Sequence, residues 1–202
     1  MPKPRMMRTP EEIFCGICNE KRGINPETLK HTVILAVEIA REGREGRKIG
    51  TMFVVGDSPE VLQHSRSLIL DPLFGHPDES KLIHLADMRE TVKELAQLDG
   101  AFVVSDEGVV VSACRYIDAF SEGIKLPLGL GSRHVAAASI TKQTKAVAVV
   151  VSESSIVRVF DDGEIISEII PELWMFARYG SHLAGPISEI KEEDLTIVSK
   201  AD

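Results

Sequence analysis

Residues Ala146 to Ser152 read Ala-Val-Ala-Val-Val-Val-Ser, an almost wholly apolar run followed at once by polar residues. A β-branched run of this length is stable as a strand buried on both faces, so it predicts a central strand of a covered sheet. The rest of the chain must then supply neighbouring strands and the helices that cover them. At 202 residues it is long enough to do so around one real core.

Asn25-Pro26 opens a predicted helix, with Asn25 as N-cap and Pro26 at the first helical position. Leu29, Val33, Val37 and Ala40 form its apolar stripe, and it should stop at Gly43 to Gly46. Thr51 to Val55 reads as a buried strand, and Gly56-Asp57-Ser58-Pro59 turns it into a second helix capped by Asp57 or Ser58. Asp71 to Ser80 reads as a loop, Lys81 to Leu85 as a strand, and Asp87 as the cap of a helix running to about Gln97. Ala101 to Ser105 and Val109 to Cys114 flank Asp106-Glu107-Gly108, a hairpin signal. An alanine-rich helix is expected from Arg133 to Thr144. Strands at Ile156 to Phe160 and Glu164 to Ile170 flank Asp161-Asp162-Gly163, and a last short helix carries Trp174. Helices alternating with strands, plus a hairpin, define an α/β class: a single domain with a mixed sheet flanked by helices. Residues 1–10, with three prolines, read as a leader, and 11–202 as the domain.

A formal charge of −8 argues against broad nucleic-acid or anionic-membrane binding, which needs a positive surface. No apolar run approaches the roughly 18 to 20 residues of a membrane span; Val33 to Ala40 is interrupted by Glu38. Met1-Pro2-Lys3-Pro4-Arg5 is basic without an apolar stretch behind it, so no secretory signal is expected and the cytoplasm is the expected location. Three cysteines suggest no disulfide framework, and Cys15-x-x-Cys18 lacks the second pair or spaced histidines of a zinc site.

Three segments carry candidate chemistry. Leu98-Asp99-Gly100-Ala101 reads locally as a tight turn, or as a metal-holding carboxylate beside small residues that admit a flat ligand. Gly129-Leu130-Gly131-Ser132-Arg133-His134 opens the alanine-rich helix. It is neither a dinucleotide fingerprint nor a P-loop. Free N–H groups at a helix start, the planar fork of Arg133 and the Ser132 hydroxyl suit phosphate oxygens. The alternative there is an ordinary start, with Ser132 as cap, Arg133 solvated and His134 packed. Val151-Ser152-Glu153 is polar at the end of the apolar strand, where open α/β sheets place ligands, though by itself the segment reads as a turn.

In order and spacing these segments resemble the diadenylate cyclase domain family (DisA N-terminal-like), and most closely an archaeal-like branch. The family's D-G-A corresponds to Asp99-Gly100-Ala101, its G-[ST]-R-H-R to Gly131-Ser132-Arg133-His134-Val135, and its V-S-[EQ] to Val151-Ser152-Glu153. Ala113-Cys114-Arg115-Tyr116 is similar to the segment whose tyrosine stacks on adenine. The resemblance implies a nucleotidyltransferase that condenses two ATP into cyclic di-AMP and two pyrophosphates. It implies that Asp99 is catalytic and holds Mg²⁺ or Mn²⁺ with Glu153. Gly100, Ala101, Tyr116, Ser132, Arg133, His134 and Ser152 then bind nucleotide. It further implies a homo-oligomer with subunits face to face, each bringing one ATP; the expectation of no nucleic-acid and no membrane partner comes from the acidic charge and the lack of an apolar span. One departure stands out: Val135 replaces the family's second arginine. Triphosphate binding is then weaker, or rests on Arg133, or draws on Lys142 or Lys145. An alternative of another class follows from the same departure, a catalytically impaired adenine-nucleotide-binding regulatory protein of this fold.

Overall fold

The computed structural model describes residues 17–18, 23–120, 123–124 and 126–171, and the backbone of 187–192 and 195–200. The expected leader, Cys15 and the helix around Trp174 lie outside the described residues. In chain order the elements are α1 (Pro26–Glu42), β1 (Thr51–Val55), α2 (Ser58–Gln63), β2 (Ser65–Ser67), a 3₁₀ turn (Asp78–Ser80), and α3 (Ala86–Leu95). There follow β3 (Ala101–Val104), β4 (Val110–Ile117), α4 (Ser132–Gln143), β5 (Val147–Val151), β6 (Val157–Asp161) and β7 (Glu164–Ile169). A separate antiparallel hairpin pairs β8 (Ile187–Glu192) with β9 (Leu195–Lys200).

Seven strands form one mixed sheet in the order β2-β4-β3-β1-β5-β6-β7. Only β1 and β3 run parallel; every other pairing is antiparallel. The valine-rich run is the internal strand β5, with all five residues buried. Alternation splits it between two cores, because successive side chains leave a strand on opposite faces. Val147, Val149 and Val151 join Phe53, Val55 and the apolar side of α1. Ala148 and Val150 join Met52, Val54, Phe160 and the Ala137, Ala138 and Ile140 side of α4. An apolar face on both sides of the sheet is what excludes a two-layer fold here.

Phe53 is fully buried and stacks on Phe102 across the parallel pair, with ring centroids 5.1 Å apart. Phe53→Ala is expected to cost about 3–5 kcal/mol of stability by lost transfer energy and an unfilled cavity. Chemical denaturation of the two proteins checks this.

Helix α1 starts where the sequence places it: Asn25 Oδ1 accepts the Glu27 N–H at 3.0 Å, and Gly43 ends it with φ +59°. Its buried face is wider than the four-residue stripe, taking in Leu35, Ala36 and Ile39 as well. Outside that face, Glu38 ties α1 to α3 by pairing with Arg89 at 2.7 Å and with Lys93 at 3.3 Å.

Four expectations are corrected. Lys81 to Leu85 forms no strand: it makes a single bridge, Leu82 to Val109, because the chain turns at once, the Leu85 N–H bonding back to Leu82 O at 3.0 Å. Asp87 is not the cap of α3; that place is held by Leu85, and Asp87 sits within the first turn, where its charge still faces the helix's positive end. Asp57 stands at the N-cap of α2 with φ +46° but does not cap it through its side chain. Its Oδ2 instead accepts the Lys145 N–H at 2.9 Å, tying that turn to the entry of β5. Finally, β4 extends to Ile117, past the expected end at Cys114, because the short polar strand β2 pairs with its second half.

Candidate active site

Asp99 closes the turn after α3, and Gly100 and Ala101 lead into β3. Gly100 has φ +111°, and a Cβ there would lie 2.6–2.8 Å from the backbone of Cys114 and Arg115. Cys114 itself has φ +54°, and the β3–β4 register shifts beside it. The glycine is therefore demanded by a bulge in the neighbouring strand, which lets β4 press against the start of β3. Asp71 stabilises that bulged strand from the long loop: its Oδ2 accepts the Ser112 hydroxyl at 2.6 Å and its Oδ1 the Ala113 N–H at 3.2 Å.

Asp99, Gly100 and Ala101 border a cleft of about 510 Å³, within the range that small-molecule ligands fill. Met52, Ala101, Ile117 and Ala136 give it an apolar wall, and Asp99, Gly100, Tyr116, Ser132, Arg133 and Val135 line it as well. Tyr116 is 43% exposed, and the Arg66 guanidinium sits 4.2 Å from its ring centroid. Arg66 also pairs with Asp118 at 2.7 Å. One tyrosine face is thus covered by a cation held from β2, which fixes the ring. Arg115, also on the cleft, clasps β2 and the end of α2 through Ser65, Ser67 and Leu62.

Helix α4 begins at Gly131, which is its N-cap and offers no side-chain cap; Ser132 is the first helical residue rather than the cap. Its first accepted bonds come from the N–H groups of His134 and Val135 to Gly131 O. The N–H groups of Ser132 and Arg133 have no acceptor among the described residues, so the positive end of a 12-residue helix opens beside the cleft. Nothing lies within 4 Å of a Cβ built on Gly129 or Gly131, so this loop leaves open space.

Arg133 brings the three segments together. Its Nη2 lies 3.4 Å from Asp99 Oδ1 and its Nη1 3.5 Å from Glu153 Oε1. Both carboxylates are largely exposed, at 82% and 74%, so these long pairs are worth at most about 1 kcal/mol each and yield readily to a competing ligand. Gly50, directly before β1, makes room for this junction: a Cβ there would lie 2.7 Å from Arg133 Nη1 and 3.3 Å from Glu153 Cγ. A glycine abutting a buried strand is the sequence signal that marks such an approach.

Two expected site residues sit elsewhere. Ser152 is absent from the cleft lining; its hydroxyl donates to Ile156 O at 3.0 Å and accepts the Ile156 N–H at 3.2 Å. It shapes the β5–β6 turn that carries Glu153. His134 faces into the protein: it is 7% exposed, its ring centroid is 6.1 Å from that of Phe160, and its Nε2 is 3.2 Å from Arg158 Nη1.

Burial, reinforced by the charges of Arg158 and Arg133, holds the His134 imidazole below its ordinary pKa of 6.5, and burial lowers His31 likewise. As pH falls through 6.5 the unfolded chain takes these protons first. The histidine contribution is therefore complete above that value and is lost as pH drops toward the folded pKa. Thermal melts should fall between pH 7.5 and 5.5, and the fall should be shallower in His134→Gln.

The lysines offered as substitutes for the missing arginine are not at this site. Lys142 lies nine residues along α4 from Arg133, about 13 Å, and pairs with Asp162 at 2.8 Å. Lys145 lies beyond the same far end. Val135 does line the cleft, so the departure from the family pattern falls inside the site.

The sequence profile of the DAC family, described as DisA bacterial checkpoint controller nucleotide-binding, matches residues 38–165. That span holds all three segments, and the chain belongs to this family. It is 50% identical over 145 residues to a diadenylate cyclase of Methanocaldococcus jannaschii, covering 71% of this chain and 46% of that protein. It is 40% identical over 153 residues to a diadenylate cyclase of Haloferax volcanii, covering 74% of this chain and 55% of that one. The chain thus spans about half the length of the curated relatives it matches. Among solved structures, a hypothetical membrane spanning protein of Bacillus cereus superposes with a TM-score of 0.52 at 19% identity, covering 69% of this chain and 62% of that one. That likeness concerns the fold. Among the described residues, no helix is long and apolar enough to cross a membrane.

Proposed function

We propose that this protein is a diadenylate cyclase, condensing two ATP into cyclic di-AMP with release of two pyrophosphates. The observation that carries the reading is the Arg133 junction. A guanidinium and an open helix start, which attract phosphate, stand with two exposed carboxylates at the mouth of an apolar cleft able to take a base. The names of the two archaeal relatives and the ordered motifs support the same reaction.

In this reading Tyr116, held by Arg66, offers its ring to adenine, while Gly100 and Ala101 frame the base. Ser132, Arg133 and the free N–H groups of α4 hold phosphate oxygens, and His134 and Ser152 position these elements from behind. Asp99 and Glu153, both largely exposed beside Arg133, would supply the anionic oxygen donors that suit Mg²⁺ or Mn²⁺. Among the described residues no third His, Cys, Asp or Glu joins them. A divalent ion there supplies positive charge that acidifies the attacking 3′-hydroxyl and shields the α-phosphate. Arg133 exchanges its weak carboxylate pairs for phosphate when the nucleotide enters. Each 3′-hydroxyl attacks the other nucleotide's α-phosphate, so two copies must face each other about a two-fold axis. Activity should therefore rise with assembly.

Incubation with ATP and Mn²⁺ or Mg²⁺, read by mass spectrometry for cyclic di-AMP, tests this directly. Product establishes the reaction. ATP binding without product, in a sample shown to be oligomeric, favours the regulatory binder that Val135 leaves open.

A further inference from the structure

The chain between α1 and β1, Arg44-Glu45-Gly46-Arg47-Lys48, is a built turn rather than a loose connection. Arg44 and Arg47 exchange both backbone bonds, at 3.0 and 2.8 Å, around Glu45 and Gly46, which have φ +50° and +72°. That is the tight two-residue geometry with both central residues left-handed. Gly43 packs beneath it, where a Cβ would run into the Arg47 carbonyl. The Arg44 side chain anchors the turn to α3 through Glu94 at 2.9 Å and Glu90 at 3.4 Å.

Arg47 and Lys48, by contrast, are exposed and have no carboxylate partner among the described residues. With Arg44, Glu45 and Gly50 they line a polar recess of about 230 Å³. Its other wall includes Asp99, Arg133 and Glu153, and Asp99 and Arg133 also line the larger cleft. The recess is therefore the continuation of the nucleotide cleft past the Arg133 junction. In a chain of charge −8, two unpaired cations on a rigid turn facing that junction point to a polyanion.

We propose that this turn is the polyphosphate clamp of the site: Arg47 and Lys48 hold the β- and γ-phosphates of ATP in the recess, supplying the positive charge that Val135 does not. The inference rests on the nucleotide reading above and adds which residues take the terminal phosphates. It also assigns the recess as the place where the departing pyrophosphate is held.

The test compares the intact chain with the R47A/K48A variant by calorimetric titration of ATP, supplied as its uncleavable α,β-methylene analogue, and of AMP, both with Mg²⁺. Both side chains are exposed and neither contributes to the turn's backbone bonds, so the variant's melting temperature should match the parent's. The expected result is ATP affinity weakened roughly ten- to a hundredfold with AMP affinity changed less than about twofold, since AMP has no phosphate that reaches the recess. Equal ATP affinity in the two proteins overturns the clamp, and so does an equal loss for ATP and AMP. If the parent binds neither nucleotide, the nucleotide reading itself falls, an outcome distinct from failure of the clamp.

Discussion

Asp99→Asn is expected to reduce cyclic di-AMP formation by at least about a hundredfold while ATP binding stays measurable. The substitution keeps the shape of the side chain and removes the charge. Asp99 is 82% exposed and its one ion pair among the described residues is the 3.4 Å contact with Arg133, so the fold loses little. What disappears is one of two anionic oxygen donors for the cation. Ground-state binding suffers less, because a carboxylate beside a triphosphate is itself repulsive and Arg133 is freed for phosphate. Mass spectrometry of product, paired with ATP titration, reads the two effects separately. Turnover at the parent rate would remove Asp99 from the chemistry.

Arg133→Ala should act on the other side of the same junction, weakening ATP binding by about 10- to 100-fold, the worth of a charge-assisted guanidinium–phosphate contact. It also leaves Asp99 and Glu153 without their shared cation, so the site becomes more repulsive to an anion at low salt. Arg133→Lys separates the two contributions. It restores charge but not the planar fork, and should recover only part of the affinity. Affinity unchanged in Arg133→Ala would dismiss the phosphate role of this helix start.

The two substitutions probe residues that stand out in the sequence, whereas the features that make them a site do not. Gly100 reads in the sequence as room for a ligand. The structure shows that its freedom is used by the Cys114 bulge of the chain's own β4. Arg66 is invisible as a site residue until β2 pairs with β4 and lays its guanidinium on Tyr116, fifty residues away in sequence. His134 and Ser152 lie within the motifs, yet their side chains turn toward Arg158 and Ile156, because adjacent residues on a helix start or a turn cannot all face one cleft. The recess lined by Arg47 and Lys48 gives no motif signal, since what matters is that these cations lack carboxylate partners among the described residues.

By itself the sequence determined the local elements and the layering. A five-residue valine-rich strand must be covered on both sides, Asn25-Pro26 and Gly43 delimit α1, and the hairpins follow from Asp-Glu-Gly and Asp-Asp-Gly turns. These are short-range facts, set by side-chain shape, periodicity and backbone freedom within a few residues. Only the tertiary structure decided which strands are neighbours, that Lys81 to Leu85 stays out of the sheet, and that Asp99 and Glu153 meet on Arg133. Such pairings depend on hydrogen bonds and charge contacts between distant segments, whose competition is settled only when the whole sheet has formed.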